Sequence, residues 1–179
     1  AGAILFADSP DEAPALFERI LETPVRGLLP DSVLVEAKTA VVQEYYAGVT
    51  WDGRRKLPVL IFSDLGGIDI EEVAEKHPEH VAKRHVSTLF PPTQHLAKEA
   101  IAATGITGDD LVRSAPIVFS LIELFLRYDL TLAEINPLAR LADGRFVVLD
   151  GHVDMEAEAR DLHRGVLDAL GIRPEETRQ

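Results

Sequence analysis

Cysteine is absent from this chain of 179 residues, which excludes disulfide bonds and metal sites built from thiolates. Cations are also scarce, because 18 lysines and arginines face 30 aspartates and glutamates, for a formal net charge of −12. Phosphate backbones and anionic membranes recruit basic surfaces, so this balance argues against nucleic-acid or membrane binding. No apolar run reaches the length of a membrane span, and no signal-peptide pattern is visible. We therefore expect a cytoplasmic protein.

The residues that are present suit an ordinary globular protein. Hydrophobic residues make up 46% of the chain and charged residues 27%. The length allows one domain with a sizeable core, together with a smaller appendage. The chain opens on Ala1-Gly2-Ala3 without methionine, and we interpret it as a fragment or a processed product.

The periodicity of apolar residues predicts a mixture of helices and strands. Strands are expected at Ala3–Ala7 and from Val33 to Val35, and a hairpin is expected to pair Val41–Val49 with Leu57–Phe62. Helical spacing is expected after a Ser9-Pro10 start signal and in four later segments: 68–76, which is a short helix or a turn, 93–104, 109–129 and 156–170. Pro116 should kink the third of these or mark a late start. Because strands and helices do not alternate strictly, the fold class is α+β.

The segment from Leu130 to Asp154 carries the most informative pattern. It predicts a strand, a tight turn at Asp143-Gly144 and a returning strand. Side chains on a strand alternate between faces, so Glu134 and Asn136 share one face, and Asp150 should return near Asn136. Carboxylate and amide oxygens are ligands that Mg²⁺ accepts alongside phosphates. This segment is therefore a candidate nucleotide-phosphate site, although such residues also commonly cap turns or simply face water.

Two further segments add specific motifs. The first reads Leu-Val-Glu-Ala from Leu34, then Thr39, then Gln-Glu-Tyr-Tyr-Ala-Gly-Val from Gln43. The second runs from Ser63 to Ala74 and contains the pair Gly66-Gly67 followed by Ile-Asp-Ile-Glu-Glu-Val-Ala. Paired glycines allow the backbone to approach a ligand closely or to adopt positive φ. Alone, a glycine pair is usually only a turn.

Together these three segments resemble the ATP-grasp domain of the succinyl-CoA synthetase β subunit and other acyl-CoA ligases that form a nucleoside diphosphate. They occur in the order of that family, and the similarity covers most of residues 1–165. The resemblance implies the ATP-grasp fold, with residues 1–30 as a remnant of the smaller lobe, residues 31–170 as the larger lobe and residues 171–179 as a polar tail.

The resemblance also implies roles for individual residues. Glu36, Thr39 and Glu44 match positions that bind ATP or GTP. Asn136 and Asp150 match the pair that holds Mg²⁺. Glu134 matches the catalytic acid that meets a phosphohistidine, which is carried, with the CoA site, by a partner α subunit. A hetero-oligomer is therefore expected.

Several features depart from the family pattern. The chain begins after the point where the family has an upstream lysine and a Gly-Arg-Gly loop that hold phosphates, and the C-terminal ligase domain is missing. Gln43 stands where lysine is usual, as does His152. We expect the isolated chain to be catalytically inactive, because transfer without those cations loses its electrostatic stabilisation.

Alternatives remain open at this level. The chain could be a truncated ATP-grasp module that serves as a binding or assembly partner, or the equivalent domain of a citrate- or malate-CoA ligase. The choice between ATP and GTP is also open. The histidines at positions 77, 80, 85 and 95 offer a transition-metal site as a competing idea, but their spacing matches no standard ligand motif, and we interpret them as solvated side chains.

Overall fold

An antiparallel sheet of six strands organises the chain after Ala40. The computed structural model describes residues 4–25 and 27–172, and it divides the chain into two units, residues 1–40 and residues 41–179. The strands of the second unit are β1 (Val41–Asp52), β2 (Leu57–Ser63), β3 (Val81–His85), β4 (Leu130–Leu141), β5 (Phe146–Val148) and β6 (Gly151–Met155). Their order is β3-β2-β1-β4-β5, and β6 also pairs with β4.

The first unit contains one helix, α1 (Ala13–Leu21), within its described residues. The strand predictions for this unit were wrong, because residues 4–7 and 33–35 lie outside any strand; Ala3 falls outside the described residues. Leu34 is 82% exposed. A short apolar run forms a strand only where another strand offers its hydrogen-bonding edge, and composition does not supply that edge.

The helices of the second unit are α2 (Ile70–Lys76), α3 (Gln94–Ala103), α4 (Gly108–Arg127) and α5 (Arg164–Ala169). The helix predictions for residues 93–104 and 109–129 are confirmed. Pro116 does not mark a late start, since α4 begins at Gly108 and continues through it. The buried face of α4 packs on the core, and this packing offsets the backbone hydrogen bond that proline cannot donate. No helix in the described ranges is both long enough and apolar enough to span a bilayer.

The last predicted helix is much shorter than expected. Residues 157–163 form successive turns in place of a helix. In these turns, Ala159 N donates to Glu156 O and Leu162 N donates to Ala159 O, which are contacts three residues apart. Regular helix begins only at Arg164.

One face of the sheet builds the core. Strand β1 contributes Tyr45, Ala47 and Val49, and β2 contributes Leu60 and Phe62, all buried. These residues pack with the buried sides of α3 and α4, including Ile101, Val118, Ile122 and Phe125. Because strand residues alternate, Tyr46 and Gly48 of β1 lie on the opposite face.

Strand β4 lies at the centre of the predicted hairpin region. It pairs with β1 on one side and with β5 and β6 on the other. The turn at Asp143-Gly144 is present as predicted, with Gly144 at φ +78°. The returning strand is divided into β5 and β6, and Asp150 lies between them. Mixed helices and an antiparallel sheet confirm the α+β class.

Candidate functional site

The face of the sheet opposite α3 and α4 carries a row of polar side chains, and we call it the polar face. Glu134 of β4 lies directly opposite Gly48 of β1 and His152 of β6. Two residues further along β4, Asn136 N donates to Asp150 O at 3.1 Å. Residues directly opposite one another in an antiparallel pair point to the same face. The pairing therefore brings the backbones of Glu134, Asn136 and Asp150 next to one another.

A bulge in β4 sits at the centre of this row. Tyr45 pairs with Leu138 and Ala47 pairs with Ile135, so Tyr46 alone opposes the two residues Asn136 and Pro137. The Asn136-Pro137 peptide bond is cis. Bulges of this kind change the direction of a side chain and interrupt the regular ladder. The interruption places Asn136 at an irregular position on the strand.

The side chain of Asn136 binds the backbone of the loop that follows β2. Its Oδ1 atom accepts a hydrogen bond from Gly67 N at 2.8 Å, and its Nδ2 atom donates to Ile68 O at 3.1 Å. The amide thus satisfies one donor and one acceptor of the glycine loop, which comprises residues 64–69. Two of the sequence motifs meet at this contact.

The glycine loop lies so close to β1 that side chains would not fit. Gly66 N donates to Glu44 O at 3.0 Å. A Cβ atom on Gly66 would overlap the backbone of Tyr45, and a Cβ atom on Gly67 would overlap the carboxylate of Glu44. Gly67 also has φ +72°, which favours glycine. Gly66 therefore lets the loop approach the backbone of β1, and Gly67 lets it approach the Glu44 carboxylate.

A shallow groove of about 400 Å³ runs between β1 and this loop. It is lined by Val41, Val42, Gln43, Glu44, Leu65, Gly66 and Ile68. Gln43 donates from Nε2 to Asp64 O at 2.8 Å and so links β1 to the loop. Of the three predicted nucleotide-binding residues, Glu44 lines this groove.

The other two nucleotide-binding predictions lie in the first unit. Glu36 is exposed and Thr39 is half-buried, both in irregular backbone. Thr39 Oγ1 donates to Ala37 O at 3.4 Å. The nucleotide-binding role of both residues stays a prediction.

Glu134 has a partner that the sequence did not indicate. Tyr46 Oη donates to Glu134 Oε2 at 3.0 Å, and Tyr46 is only 3% exposed. Burial raises the pKa of the Tyr46 phenol well above its ordinary value, and the nearby Glu134 and Asp69 carboxylates add to the rise. A phenol that stays protonated is a dependable donor to the carboxylate. The sequence signal available for this contact was the spacing of Tyr46 and Gly48, which lie two positions apart and so share one face of β1.

The oxygen atoms of Asn136 and Asp150 suit a hard cation. Mg²⁺ is commonly held by one or two protein oxygens, with phosphates and water completing its shell. Asp150 is exposed and accepts a hydrogen bond at Oδ1 from Gly151 N at 2.9 Å. Asn136 Oδ1 already accepts one hydrogen bond, but an amide oxygen has two lone pairs. Both side chains therefore carry the type of oxygen ligand that Mg²⁺ accepts.

The histidines do not converge on a metal. His80 Nδ1 lies 2.8 Å from Asp64 Oδ1 and its Nε2 lies 3.8 Å from Glu79 Oε1, whereas His85 Nε2 lies 2.8 Å from Asp52 Oδ2. Within residues 4–25 and 27–172, no group of three His, Cys, Asp or Glu side chains could hold a metal ion. Strand β3, which ends at His85, was not predicted, because its short charged sequence resembles a loop.

Comparisons with known proteins agree on one family. The model of a family described as an ATP-grasp domain matches residues 1–140. The succinate–CoA ligase [ADP-forming] β subunit of Methanocaldococcus jannaschii is 35% identical over 163 residues, which is 91% of this chain and 45% of that protein. The corresponding subunit of Rubrobacter xylanophilus is 33% identical, over 99% of this chain and 47% of its own length.

A GDP-forming relative is similar to the same degree. The succinate–CoA ligase [GDP-forming] β subunit of Thermus thermophilus is 33% identical, over 98% of this chain and 46% of its own length. The chain thus spans about half the length of the curated relatives that it matches.

Solved structures share the fold. ATP citrate lyase from Methanothrix soehngenii, in complex with citrate and coenzyme A, superimposes with a TM-score of 0.65 and 20% identity, over 88% of this chain and 36% of that one. A dinucleotide-forming acetyl-coenzyme A synthetase from Ca. Korarchaeum cryptofilum gives 0.58 and 19%, over 86% and 69%. At this identity the match concerns the fold alone, and the predicted ATP-grasp fold is confirmed.

Proposed function

Since the chain belongs to the ATP-grasp domain family, we propose that it is the nucleotide- and magnesium-binding part of an acyl-CoA ligase that forms ADP or GDP. Its relatives at 33–35% identity are named as β subunits of succinate–CoA ligases, which favours succinate as the acid. The observation that carries the proposal is the placement of Asp150 beside Asn136, whose amide also holds the glycine loop. Phosphate ligands and a backbone loop would meet there.

Each side chain has a part in this scheme. Glu44, with Glu36 and Thr39, would bind the base and ribose of ATP or GTP, since carboxylates accept hydrogen bonds from ribose hydroxyls. Asn136 and Asp150 would hold Mg²⁺, which when bound neutralises charge on the nucleotide phosphates. Glu134 would accept a hydrogen bond from the imidazole of a phosphohistidine and so orient the ring.

The remaining parts of the reaction lie with other segments. The phosphohistidine and the CoA site are proposed to belong to an α subunit, so that the working enzyme is a hetero-oligomer in the cytoplasm. Residues 31–170 would form the larger lobe of the grasp and residues 1–30 a remnant of the smaller lobe. On this proposal the isolated chain binds nucleotide but does not catalyse the ligase reaction.

Calorimetric titration with ADP, in the presence and absence of Mg²⁺, tests the proposal. Wild-type protein should bind Mg·ADP, and Asp150→Ala should weaken that binding on the order of tenfold or more, equivalent to about 1.4 kcal/mol. The same substitution should leave binding of ADP without Mg²⁺ unchanged. Asn136→Ala should weaken binding under both conditions, because it also releases the glycine loop.

Asp154→Ala is the matched control, because Asp154 is an exposed acid on β6, four positions after Asp150. It should bind Mg·ADP like the wild type. A folded wild-type chain that binds no nucleotide, or equal losses in Asp150→Ala and Asp154→Ala, would contradict the proposal and favour a module that serves for assembly only.

A further inference from the structure

The contact between Tyr46 and Glu134 crosses from β1 to β4. The residues lie 88 positions apart, and the phenol donates to Glu134 Oε2 at 3.0 Å. Glu134 is half-buried, whereas Tyr46 is almost fully buried. A buried hydroxyl that donates to a carboxylate makes a charge-assisted hydrogen bond, which is stronger and more directional than a neutral one.

Gly48 makes the path of the tyrosine ring possible. Gly48 lies directly opposite Glu134 in the pairing of β1 with β4. A Cβ atom at Gly48 would overlap Tyr46 Oη and lie 2.8 Å from Cζ of the same ring. The ring therefore passes over the glycine to reach the carboxylate, and a side chain at position 48 would obstruct it.

The direction of the hydrogen bond is fixed by charge. Glu134 and Asp69 both place negative charge near the phenol, and these charges, after burial, raise the pKa of Tyr46 above its ordinary value. A phenol is already protonated at neutral pH with its ordinary pKa of about 10, so the hydroxyl of Tyr46 donates and the carboxylate accepts. One oxygen of Glu134 is thereby engaged, and the rotation of its side chain is restricted.

We infer that Tyr46 is a positioning residue, which holds the Glu134 carboxylate in the orientation that accepts the imidazole of an incoming phosphohistidine. This inference rests on the proposed function, which supplies the role of Glu134. Tyr46 itself contacts neither nucleotide nor phosphoryl group in this scheme. A carboxylate already restrained by one hydrogen bond loses less conformational freedom when the imidazole arrives.

The alternative is that the hydrogen bond merely satisfies a buried hydroxyl. The two possibilities differ in what the loss of the hydroxyl should change. A structural role predicts a change in stability alone. A positioning role predicts weaker recognition of a phosphorylated imidazole, with unchanged affinity for Mg·ADP.

The test uses phosphoimidazole as the probe of the phosphohistidine and follows its binding by ³¹P NMR. Glu134→Gln should weaken binding about tenfold, and Tyr46→Phe should weaken it by about three- to tenfold. The double variant should bind no more weakly than Glu134→Gln, because Tyr46 acts through Glu134. Calorimetry should give the wild-type affinity for Mg·ADP in Tyr46→Phe.

Tyr45→Phe provides a matched control, since Tyr45 is the adjacent residue, is also buried and faces the core. In protein labelled with ¹³C at glutamate carboxyls, Tyr46→Phe should shift the Glu134 resonance, and Tyr45→Phe should leave it in place. Melting temperatures of the variants show whether they remain folded.

The outcomes separate the two proposals. A wild-type chain that does not bind phosphoimidazole overturns the role proposed for Glu134, and the inference for Tyr46 with it. Probe binding that Glu134→Gln weakens but Tyr46→Phe leaves unchanged overturns the inference alone. Additive losses in the double variant, or weaker binding of Mg·ADP by Tyr46→Phe, also overturn it.

Discussion

Asn136 Oδ1 accepts a hydrogen bond of 2.8 Å from Gly67 N, although 69 positions separate the two residues. This bond joins a bulge in β4 to the glycine loop after β2. A residue predicted as a metal ligand is thus also the anchor of a loop. A substitution of Asn136 would remove the loop contact together with the proposed metal ligand, so the experiments on it need controls that separate the two.

Release of the glycine loop is the first expected consequence of Asn136→Ala. The variant loses the hydrogen bonds to Gly67 and Ile68, each with a net contribution of about 1 kcal/mol. Amide exchange at Gly67 should become about 5- to 10-fold faster, as measured by hydrogen–deuterium exchange with NMR detection. Thr131→Ala, which removes a side-chain hydrogen bond to Asp154 O from the same strand, should not alter it. Unchanged exchange at Gly67 in Asn136→Ala would argue against the anchor.

Gly66→Ala tests the close approach of the loop to β1. The added methyl group would overlap the backbone of Tyr45, which cannot move without disturbing the sheet. We expect a loss of about 1–3 kcal/mol in the free energy of unfolding, measured with urea. Gly53→Ala is the matched control, because a Cβ atom there meets nothing within 4 Å, and it should change stability by less than about 0.5 kcal/mol. Equal stability of the two variants would mean that the loop does not pack on β1 as described.

Asp52 should contribute to the loss of stability at acid pH. The hydrogen bond from His85, followed by those from the backbone N–H groups of Arg54 and Arg55, lowers the pKa of Asp52 from 3.8 to about 2. Because the folded-state pKa is the lower one, its stabilising contribution is present above pH 4 and is lost as the pH falls from about 4 to about 2.

Asp52→Asn should therefore flatten the fall in stability across that window, as measured by urea unfolding at several pH values. Asp161→Asn, which changes an acid with an 83% exposed side chain, serves as the control and should keep the wild-type slope. If Asp52→Asn kept the wild-type slope of stability against pH, the contacts of Asp52 would not contribute to the pH dependence.

Core packing between α4 and the sheet should be sensitive at Phe125. This residue is 1% exposed and contacts Trp51, with ring centroids 5.8 Å apart. Phe125→Ala should reduce the free energy of unfolding by about 3–5 kcal/mol, since it removes a large buried ring and leaves a cavity. Its neighbour Leu124 is 38% exposed, and Leu124→Ala should cost much less in the same denaturation experiment. A similar cost for both would contradict the assigned orientation of α4.

Local patterns accounted for much of the second unit. The turn at Asp143-Gly144, the hairpin of β1 and β2, and helices α3 and α4 follow from turn chemistry and apolar periodicity. Both signals are carried by residues close together in the chain, so a sequence displays them directly. The failures were different in kind. Val33–Val35 has the composition of a strand but pairs with no strand among the described residues, and residues 157–163 form turns with hydrogen bonds three residues apart where a helix was expected.

The candidate site was predictable in part. Alternation along β4 placed Glu134 and Asn136 on one face, and the turn brought Asp150 back beside them. The groove beside Glu44, the anchor at Asn136 and the partner of Glu134 were not predictable in this way. Each depends on contact between strands that are distant in sequence.

The sequence by itself determined the α+β class, the motifs of the ATP-grasp family and the residue types available for phosphate and metal. Only the tertiary structure decided that β4 lies between β1 and β6, that Tyr46 reaches Glu134 over Gly48, and that Gly67 binds Asn136. The physical reason is that periodicity fixes which face a side chain occupies, whereas the neighbour it meets there depends on how strands pair across the whole sheet.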